Sequence, residues 1–452
     1  MANQSHAANM TQGSIWKLMV RFAIPIFLGN LFQQFYNVAD TFIVGNVLGT
    51  EAMAAVGSSG NLIFMLIGFF QGVFVGAGVV VSRFWGARDH ENVSIAVHTS
   101  VAFAIVAGLV LTLVGVLLTP TILDWMHTPA DVLPNSIEYF RVYFGGVIFA
   151  VLYNAVNGIF QAVGDSRHPL YFLIISAMLN VALDLLFVGV LGMGVGGAAF
   201  ATVISQAVSA FLGLRKLMKA TESYRLIPRK IRFNGRMLQK VLYIGIPSGL
   251  QNAIFALANL FIQRGVNTFS ATMVAGNSAA TNADALVYDV MQAFYTACGS
   301  FIGQNYGAGK KDRIRRTFLI STAYAFGAGL LLGLGLLLFG RPFLSLFTTD
   351  PQVMDAGMYR LTVMSVSYCV SAFMDGSIAA SRGLGKSAVP MVIVILGSCV
   401  FRIIWVYTVF AWFGTITSLY LLYVFSWTIT AAAEIIYFIR IYRQATADLA
   451  AA

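Results

Sequence analysis

A long apolar stretch near the beginning of the chain decides the fold. Residues 15–45 have the sequence IWKLMVRFAIPIFLGNLFQQFYNVADTFIVG. A helix that crosses a membrane needs about 20 mostly apolar residues, and this stretch is longer than that. It is also too long for the apolar part of a signal peptide, and no small-residue cleavage site follows it. We therefore interpret it as a first membrane span that the mature protein keeps.

The composition of the whole chain points to a membrane protein. Of its 452 residues, 58% are hydrophobic and 10% are charged, whereas soluble domains carry about 25% charged residues. These values exclude an ordinary soluble protein and a disordered one. The apolar runs lack the period-two alternation of strands, so we predict an all-α polytopic membrane protein with twelve transmembrane helices. The predicted spans are 15–45, 52–81, 93–118, 137–163, 169–190, 195–215, 239–264, 272–303, 317–340, 355–381, 388–411 and 415–439.

Basic residues concentrate in every second connection between these spans. The chain has 28 Lys and Arg against 18 Asp and Glu, for a net charge of +10. Since basic loops stay on the cytoplasmic side, we predict a multi-pass protein of the cell membrane with both termini cytoplasmic. Topology accounts for the positive charge, so the lipid bilayer is the expected partner and nucleic acid is not.

The chain repeats itself weakly after 221 or 222 residues. The recurring residues are Pro25, Asn30 and Asn37 as Pro247, Asn252 and Asn259, and Trp85-Gly86-Ala87 as Tyr306-Gly307-Ala308. An even number of helices in each repeat predicts two six-helix lobes related by a pseudo-two-fold along the membrane normal. The predicted parts are a cytoplasmic tail 1–14, an N-lobe 15–215, a basic cytoplasmic linker 216–238, a C-lobe 239–440 and a cytoplasmic tail 441–452.

Polar residues form a stripe along one face of the first span. Such a face cannot meet lipid, so it lines a cavity or packs on polar partners. Amide side chains also glue membrane helices together, but a stripe in both halves favours a water-filled substrate cleft. The predicted cleft residues are Gln33, Gln34, Asn37, Asn154, Asn157, Asp284 and Asp375.

Two carboxylates in the N-lobe are expected to meet. Asn180 and Asp184 are four residues apart on the fifth span, as are Ala198 and Thr202 on the sixth, so each pair shares a helix face. Helix rise places these residues and Asp40 in the outer half of the membrane. Carboxylate, amide and hydroxyl oxygens suit Na⁺ or a shared proton. We predict a coupling site there; the alternative is a structural polar cluster with one Asp permanently protonated.

A second group of buried charges is predicted in the C-lobe. Asp289, Asp375 and Arg402 lie within spans, where charges need partners. We predict an ion pair among them, whose role is either structural or coupling.

The sequence shows no motif for catalysis, metal binding or nucleotide binding. The three cysteines have no metal-ligand or redox spacing, no phosphate-binding loop is visible, and no nucleophile and base are paired. We therefore expect no enzyme activity and no cofactor, and transport driven by an ion gradient.

Several motifs together resemble the multidrug and toxic compound extrusion (MATE) family over essentially the whole chain. They are Pro25 through Asp40-Thr41, Gly164-Asp165-Ser166-Arg167-His168-Pro169, Gln304-Asn305-Tyr306-Gly307-Ala308-Gly309-Lys310 and Arg382-Gly383-Leu384-Gly385-Lys386. The resemblance implies a two-lobed antiporter that exports organic cations and related drugs in exchange for Na⁺ or H⁺.

The resemblance also implies which residues bind the coupling ion. Its N-lobe site matches Asp40, Asn180, Asp184 and Thr202, with Ala198 offering a backbone carbonyl. One branch of the family instead uses acidic residues in the seventh and tenth spans. Asp375 matches the latter, but Phe255 stands in place of the former, which puts C-lobe coupling in doubt. The chain therefore resembles the DinF-like branch.

The leading hypothesis is a monomeric antiporter that exports cationic or amphipathic small molecules. The alternatives are a lipid-linked oligosaccharide flippase of the same superfamily and a channel or receptor-like membrane protein. A flippase that handles pyrophosphate would need Arg or Lys in its cleft, whereas the predicted interior is acidic.

Overall fold

A computed structural model describes residues 9–125 and 128–451. These residues form helices joined by short turns and contain no strand, because apolar runs this long satisfy their backbone groups internally only as helices. The α-helices are α1 Ile15–Leu48, α2 Thr50–Gly86, α3 His90–Trp125, α4 Leu133–Gly145, α5 Val147–Val163, α6 Arg167–Asp184, α7 Gly194–Met218, α8 Gly235–Val266, α9 Ala271–Gly307, α10 Lys311–Leu344, α11 Pro351–Gly383, α12 Ala388–Val394, α13 Phe401–Trp405, α14 Ala411–Phe413 and α15 Ile416–Ala451. Three π-helical segments lie at Leu185–Val190, Ile395–Val400 and Val406–Phe410, and a 3-10 turn at Pro228–Lys230.

The predicted spans correspond to these helices. Within the described residues, ten helices are long and apolar enough to cross a membrane, and α4 with α5, which meet at a 48° bend, make an eleventh. The predicted eighth span is α9, a 37-residue helix whose many polar side chains lower its hydropathy. With α9 counted, the described residues have the predicted twelve spans. The fifteen α-helices exceed that number because α4 and α5 form one bent span and α12, α13 and α14 are parts of another, Ala388–Phe413.

The described chain divides into two compact units whose limits differ from the predicted lobes. Unit 1 contains Leu28–Gly249, and unit 2 contains Asn9–Phe27 and Leu250–Ala452. The division therefore falls inside α1 and inside α8 rather than in the linker 216–238. The exact lobe boundaries stay predictions, and residues 1–8 of the predicted tail lie outside the described residues.

Small residues explain why the first half of α8 belongs to unit 1. A Cβ added to Gly76 on α2 would lie 2.4 Å from the backbone N of Gly245 on α8, and one on Gly72 would lie 2.6 Å from Gly249. Backbones that approach this closely leave room for hydrogen atoms only. The two helices therefore pack backbone against backbone.

Residues before α1 are tied to the turn between α9 and α10 in unit 2. Arg313 donates to the carbonyl oxygens of Met10 and Gly13, both at 2.9 Å, and Lys310 donates to that of Thr11 at 2.7 Å. The side chain of Met10 is buried with Phe22 and Phe301. The Gln304–Lys310 motif, singled out in the sequence, thus borders an anchor for the N-terminal segment.

The turn between α5 and α6 is built by two residues of the Gly164–Pro169 motif. Gly164 has φ 93°, a left-handed conformation that glycine adopts without strain. Asp165 accepts hydrogen bonds from the backbone N–H groups of Arg167 and His168 at 3.1 and 3.2 Å, and from His168 Nδ1 at 2.5 Å. This carboxylate therefore satisfies orphan donors at the start of α6.

Candidate functional site

Helix α6 delivers two of the predicted site residues to the interior of unit 1. Asn180 and Asp184 lie one turn apart at the end of this helix, with 1% and 0% of their surface exposed. The helix continues as the π-helical segment Leu185–Val190. Such segments widen a helix locally and often occur at functional sites.

Helix α7 supplies the next layer. Asn180 Nδ2 donates to Thr202 Oγ1 at 3.3 Å, and Thr202 Oγ1 donates to the Ala198 carbonyl oxygen at 3.2 Å. These bonds orient the Asn180 amide, so that its oxygen faces away from Thr202 and has no hydrogen-bond partner.

Helix α1 brings the second carboxylate of the cluster, Asp40, to the same place. Asp40 is 7% exposed, and its carboxyl group interacts electrostatically with that of Asp184. The Oδ1 atom of Asp40 and both carboxylate oxygens of Asp184 are buried without a hydrogen-bond partner. With Asn180 Oδ1, four buried oxygens of this cluster thus lack a donor.

This arrangement fits a hard monovalent cation or a proton. Buried polar atoms are normally hydrogen-bonded, and an all-oxygen set lacking donors can be satisfied by Na⁺ or by protonation of a carboxylate. Softer metals prefer Cys and His ligands, and the described residues contain no group of three or more His, Cys, Asp or Glu side chains arranged for a metal ion. The structure therefore brings together the predicted residues, while their role in coupling stays a prediction.

Three tyrosines that the sequence analysis missed surround this cluster. Tyr36 and Tyr139 both interact electrostatically with Asp40, and the rings of Tyr139 and Tyr143 stack with centroids 6.4 Å apart. Their spacing held a signal, because Tyr36 lies four residues before Asp40 and Tyr139 lies four before Tyr143, which puts each pair on one helix face.

The predicted cleft residues in unit 1 lie on two helices. Gln33, Gln34 and Asn37 are exposed along α1, as a stripe that lines a cavity requires. Asn154 and Asn157 are half-buried on α5: Asn154 donates to the Ala150 carbonyl oxygen at 3.0 Å, and Asn157 accepts from Gln161 at 3.0 Å. Substrate contact by these five residues stays a prediction.

Asp284 has a different environment from the one predicted. Its Oδ2 accepts from Arg360 Nε at 2.8 Å and from Arg360 Nη2 at 2.6 Å, and its Oδ1 accepts from Tyr368. Arg360 Nη1 also donates to Asn277 at 2.9 Å, which accepts from Tyr420 at 2.9 Å as well. The carboxylate predicted to line the cleft is therefore held in a closed network, and the sequence analysis gave no role to its partner, Arg360.

The C-lobe ion pair needs a second correction. Asp375 accepts from Tyr288 at 2.9 Å, and Arg402 donates to Ser426 at 3.2 Å and to Asn259 at 3.5 Å. No ion pair within the described residues joins Arg402 to Asp375; the buried pair of unit 2 is Arg360 with Asp284. A role for Asp289 in ion pairing stays a prediction.

Comparison with known proteins gives the same duplication that the sequence predicted. The MatE family profile matches residues 25–186 and again residues 247–408, two segments that begin 222 residues apart. A relative from Bacillus subtilis named "Probable multidrug resistance protein YoeA" is 28% identical over 84% of each chain. The "FAD transporter" of Shewanella oneidensis is 26% identical over 78% of this chain and 79% of its own.

Solved structures show the same fold. The outward-facing structure of a multidrug resistance MATE family transporter superposes with a TM-score of 0.90 at 24% identity, covering 98% of this chain and 99% of the other. Since the profile matches well over half of the residues, in two consecutive halves, the chain belongs to the MatE family of membrane transporters.

Proposed function

We propose that this protein is a secondary antiporter that exports cationic or amphipathic small organic molecules in exchange for Na⁺ or H⁺. One observation carries the proposal: four buried oxygens of Asp40, Asn180 and Asp184 in unit 1 have no hydrogen-bond donor. A transporter without a phosphate-binding site needs an ion gradient, and this cluster is a place where the ion can bind.

The relatives support the substrate class in part. The Bacillus subtilis relative is named for multidrug resistance, while the Shewanella oneidensis relative is named as an FAD transporter. We favour cations for this chain because the residues predicted to line its cleft include the carboxylate of Asp375 and no Lys or Arg, and a cleft lined by one sign of charge attracts the other.

The proposed mechanism begins with repulsion between two carboxylates. Asp40 and Asp184 are both buried, so ionising both carboxyl groups at once would place two negative charges close together with little water around them, which is unfavourable. When bound, Na⁺ or a proton neutralises this charge. Two further oxygen atoms complete the set around the carboxylates: the Asn180 amide oxygen, which α6 positions, and the Thr202 hydroxyl, which α7 positions.

Helix α1 can pass this event on to the rest of the chain. This helix carries Asp40 in unit 1, whereas its residues before Leu28 belong to unit 2. Pro25 lies close to that division, and a proline removes one backbone hydrogen bond of a helix. We propose that ion binding changes the shape of α1 and shifts the population between two transport states.

Transport by purified protein in liposomes tests the proposal. Efflux of a fluorescent organic cation, ethidium, is measured under an imposed Na⁺ gradient and, separately, an imposed pH gradient. We expect Asp40→Asn and Asp184→Asn to lose gradient-driven export while inserting normally, and the exposed Asp124→Asn to retain it. Uphill export by Asp40→Asn with unchanged ion dependence would place the coupling site elsewhere.

The finer localisation is also proposed. We propose that the protein is a monomer in the cell membrane and that both termini and residues 216–238 are cytoplasmic, since that connection is strongly basic. A cysteine introduced at exposed Asn234 should react with a membrane-impermeant maleimide only after the cells are opened. Labelling of intact cells at this position would reverse the assigned sides.

A further inference from the structure

Helix α15 contains a carboxylate that neither the proposed mechanism nor the family motifs use. Glu434 is 0% exposed, and both of its carboxylate oxygens are buried without a hydrogen-bond partner. The glutamates Glu51, Glu91 and Glu138 are exposed instead. A buried polar atom without a partner is uncommon, and here both oxygens of one side chain share that condition.

The cation that acts on Glu434 is Arg382, in the last turn of α11. In the sequence it directly follows the predicted tenth span, 355–381, and the structure places it half-buried within unit 2. Its Nη2 donates to Gln251 at 2.8 Å, and its Nε is buried without a partner. No ion pair within the described residues joins it to Glu434, although the two interact electrostatically. Arg382 is therefore near enough to influence the carboxyl group, yet does not satisfy it.

Arg382 is shared by two carboxyl groups. It also interacts electrostatically with Asp375, which lies seven residues earlier, and so on the same face of α11. The carboxyl groups of Asp375 and Glu434 repel each other. One guanidinium thus stands near two buried acids in unit 2.

The other elements that pack against α15 add little charge at Glu434. Arg402 on α13 contacts α15 through Ser426, which lies eight residues before Glu434. Residues 388–400 carry no charged side chain, and Cys399 is their only titratable group. Helix α10 also packs on α15, through Phe318 against Phe438, and its charged residues lie at its two ends, within 311–316 and at Arg341. Among the described residues, the charged groups that act on Glu434 are Arg382 and Asp375, both from α11.

The chemistry of this place selects one ligand. An ionised carboxylate buried without donors is strongly disfavoured, so Glu434 requires either a cation or a proton. The guanidinium of Arg382 repels a metal cation, and the described residues contain no group of three or more His, Cys, Asp or Glu side chains that could hold one. We propose that Glu434 is a proton-binding site of unit 2, controlled by Arg382 and separate from the cluster at Asp40.

This inference requires only that α15 is buried in the folded protein, and it does not depend on which site drives transport. A bound proton satisfies Glu434 in the described conformation. Movement of Arg382 from Gln251 toward Glu434 would replace the proton by an ion pair, and the proton would leave. Proton release is thereby linked to the position of one arginine side chain.

Infrared difference spectroscopy of the full-length protein in lipid nanodiscs tests the proposal directly. A protonated carboxyl group has a C=O stretching band separate from that of carboxylates, and the band shifts in D₂O. At neutral pH we expect Glu434→Gln to lose one such band component, whereas the matched control Glu91→Gln loses none. An unchanged spectrum for Glu434→Gln would overturn the proposal.

A second measurement needs no variant at Glu434 and so does not depend on its folding. Wild-type protein with ¹³C-labelled glutamate carboxyl groups should show the same component moved to lower frequency, because a glutamate carries it. A band that stays in place would assign the proton to an aspartate and refute the proposal. The component should persist in Asp40→Asn, so that failure of the proposed coupling site and failure of this inference are distinguishable.

Discussion

Replacing Arg360 by alanine should be among the most destabilising single changes in unit 2. Arg360 is 4% exposed and donates two hydrogen bonds to Asp284 and one to Asn277. Its guanidinium also lies over the rings of Tyr420 and Tyr423, 5.4 and 5.3 Å from their centroids. Alanine removes all of these contacts at once and leaves the Asp284 carboxylate with Tyr368 as its remaining donor.

The size of the effect follows from what is left unpaired. Breaking a buried ion pair by removing one partner costs about 3–5 kcal/mol, because the other charge stays buried without compensation. Asp284→Asn keeps an acceptor for Arg360 but leaves the guanidinium charge unpaired, so we expect a similar loss. The double variant Asp284→Leu/Arg360→Met removes both charges, and we expect it to recover most of the stability.

The assay is reversible unfolding in mixed detergent micelles, followed by tryptophan fluorescence for the wild type, both single variants and the double variant. The exposed pair Arg341 and Asp355 is a matched control, since its side chains are 58% and 54% exposed. Exposed ion pairs contribute about 0–1 kcal/mol, so Arg341→Ala should change the free energy of unfolding by no more than that.

Two outcomes would refute this account of Asp284. Additive losses in the double variant would mean that the two side chains do not interact. Loss of ethidium export by the well-folded double variant would instead support the prediction from the sequence that Asp284 lines the substrate cleft.

Two further predictions concern packing and a helix end. Gly76→Ala should destabilise unit 1 by about 1–3 kcal/mol, because the added Cβ would overlap the backbone of Gly245. Gly68→Ala is the control on the same helix: the added Cβ meets open space, so the change should be neutral or slightly stabilising. Equal effects of the two variants on the thermal midpoint would contradict the close approach of α2 and α8. Burial alone would raise the pKa of Asp165, but hydrogen bonds from His168 and the backbone lower it. The stability that ionised Asp165 contributes is therefore complete above the unfolded-state pKa and is lost as pH falls through the folded-state pKa. Asp165→Asn should lower the free energy of unfolding by about 1–3 kcal/mol near neutral pH, and the difference from the wild type should vanish on acidification.

The membrane class, the helix count and the duplication were all predictable from the sequence. Each depends on local properties: apolar length, the absence of alternation, and recurring residues such as Pro25 and Pro247 at a constant spacing. In lipid the backbone must bond within its own segment, so a sufficiently long apolar run has one available structure. The MatE profile, which matches at the same 222-residue spacing, confirms the duplication.

The sequence also predicted which residues form the cluster at Asp40, Asn180 and Asp184. Two of its residues share a helix face by spacing alone, and depth in the membrane follows from the rise per residue. What spacing could not show was that the Asp184 oxygens lack any hydrogen-bond donor, since this depends on every helix around them.

Partner choice among buried charges was decided only by the tertiary structure. From the sequence, an ion pair was expected among Asp289, Asp375 and Arg402, whereas the structure pairs Arg360 with Asp284, and Glu434 has no ion-pair partner among the described residues. Helical spacing tells which residues of one helix share a face, but it does not tell which faces of α9, α11 and α15 turn toward each other. That is determined by how their side chains pack, and an electrostatic interaction that changes over a few ångströms depends on that packing.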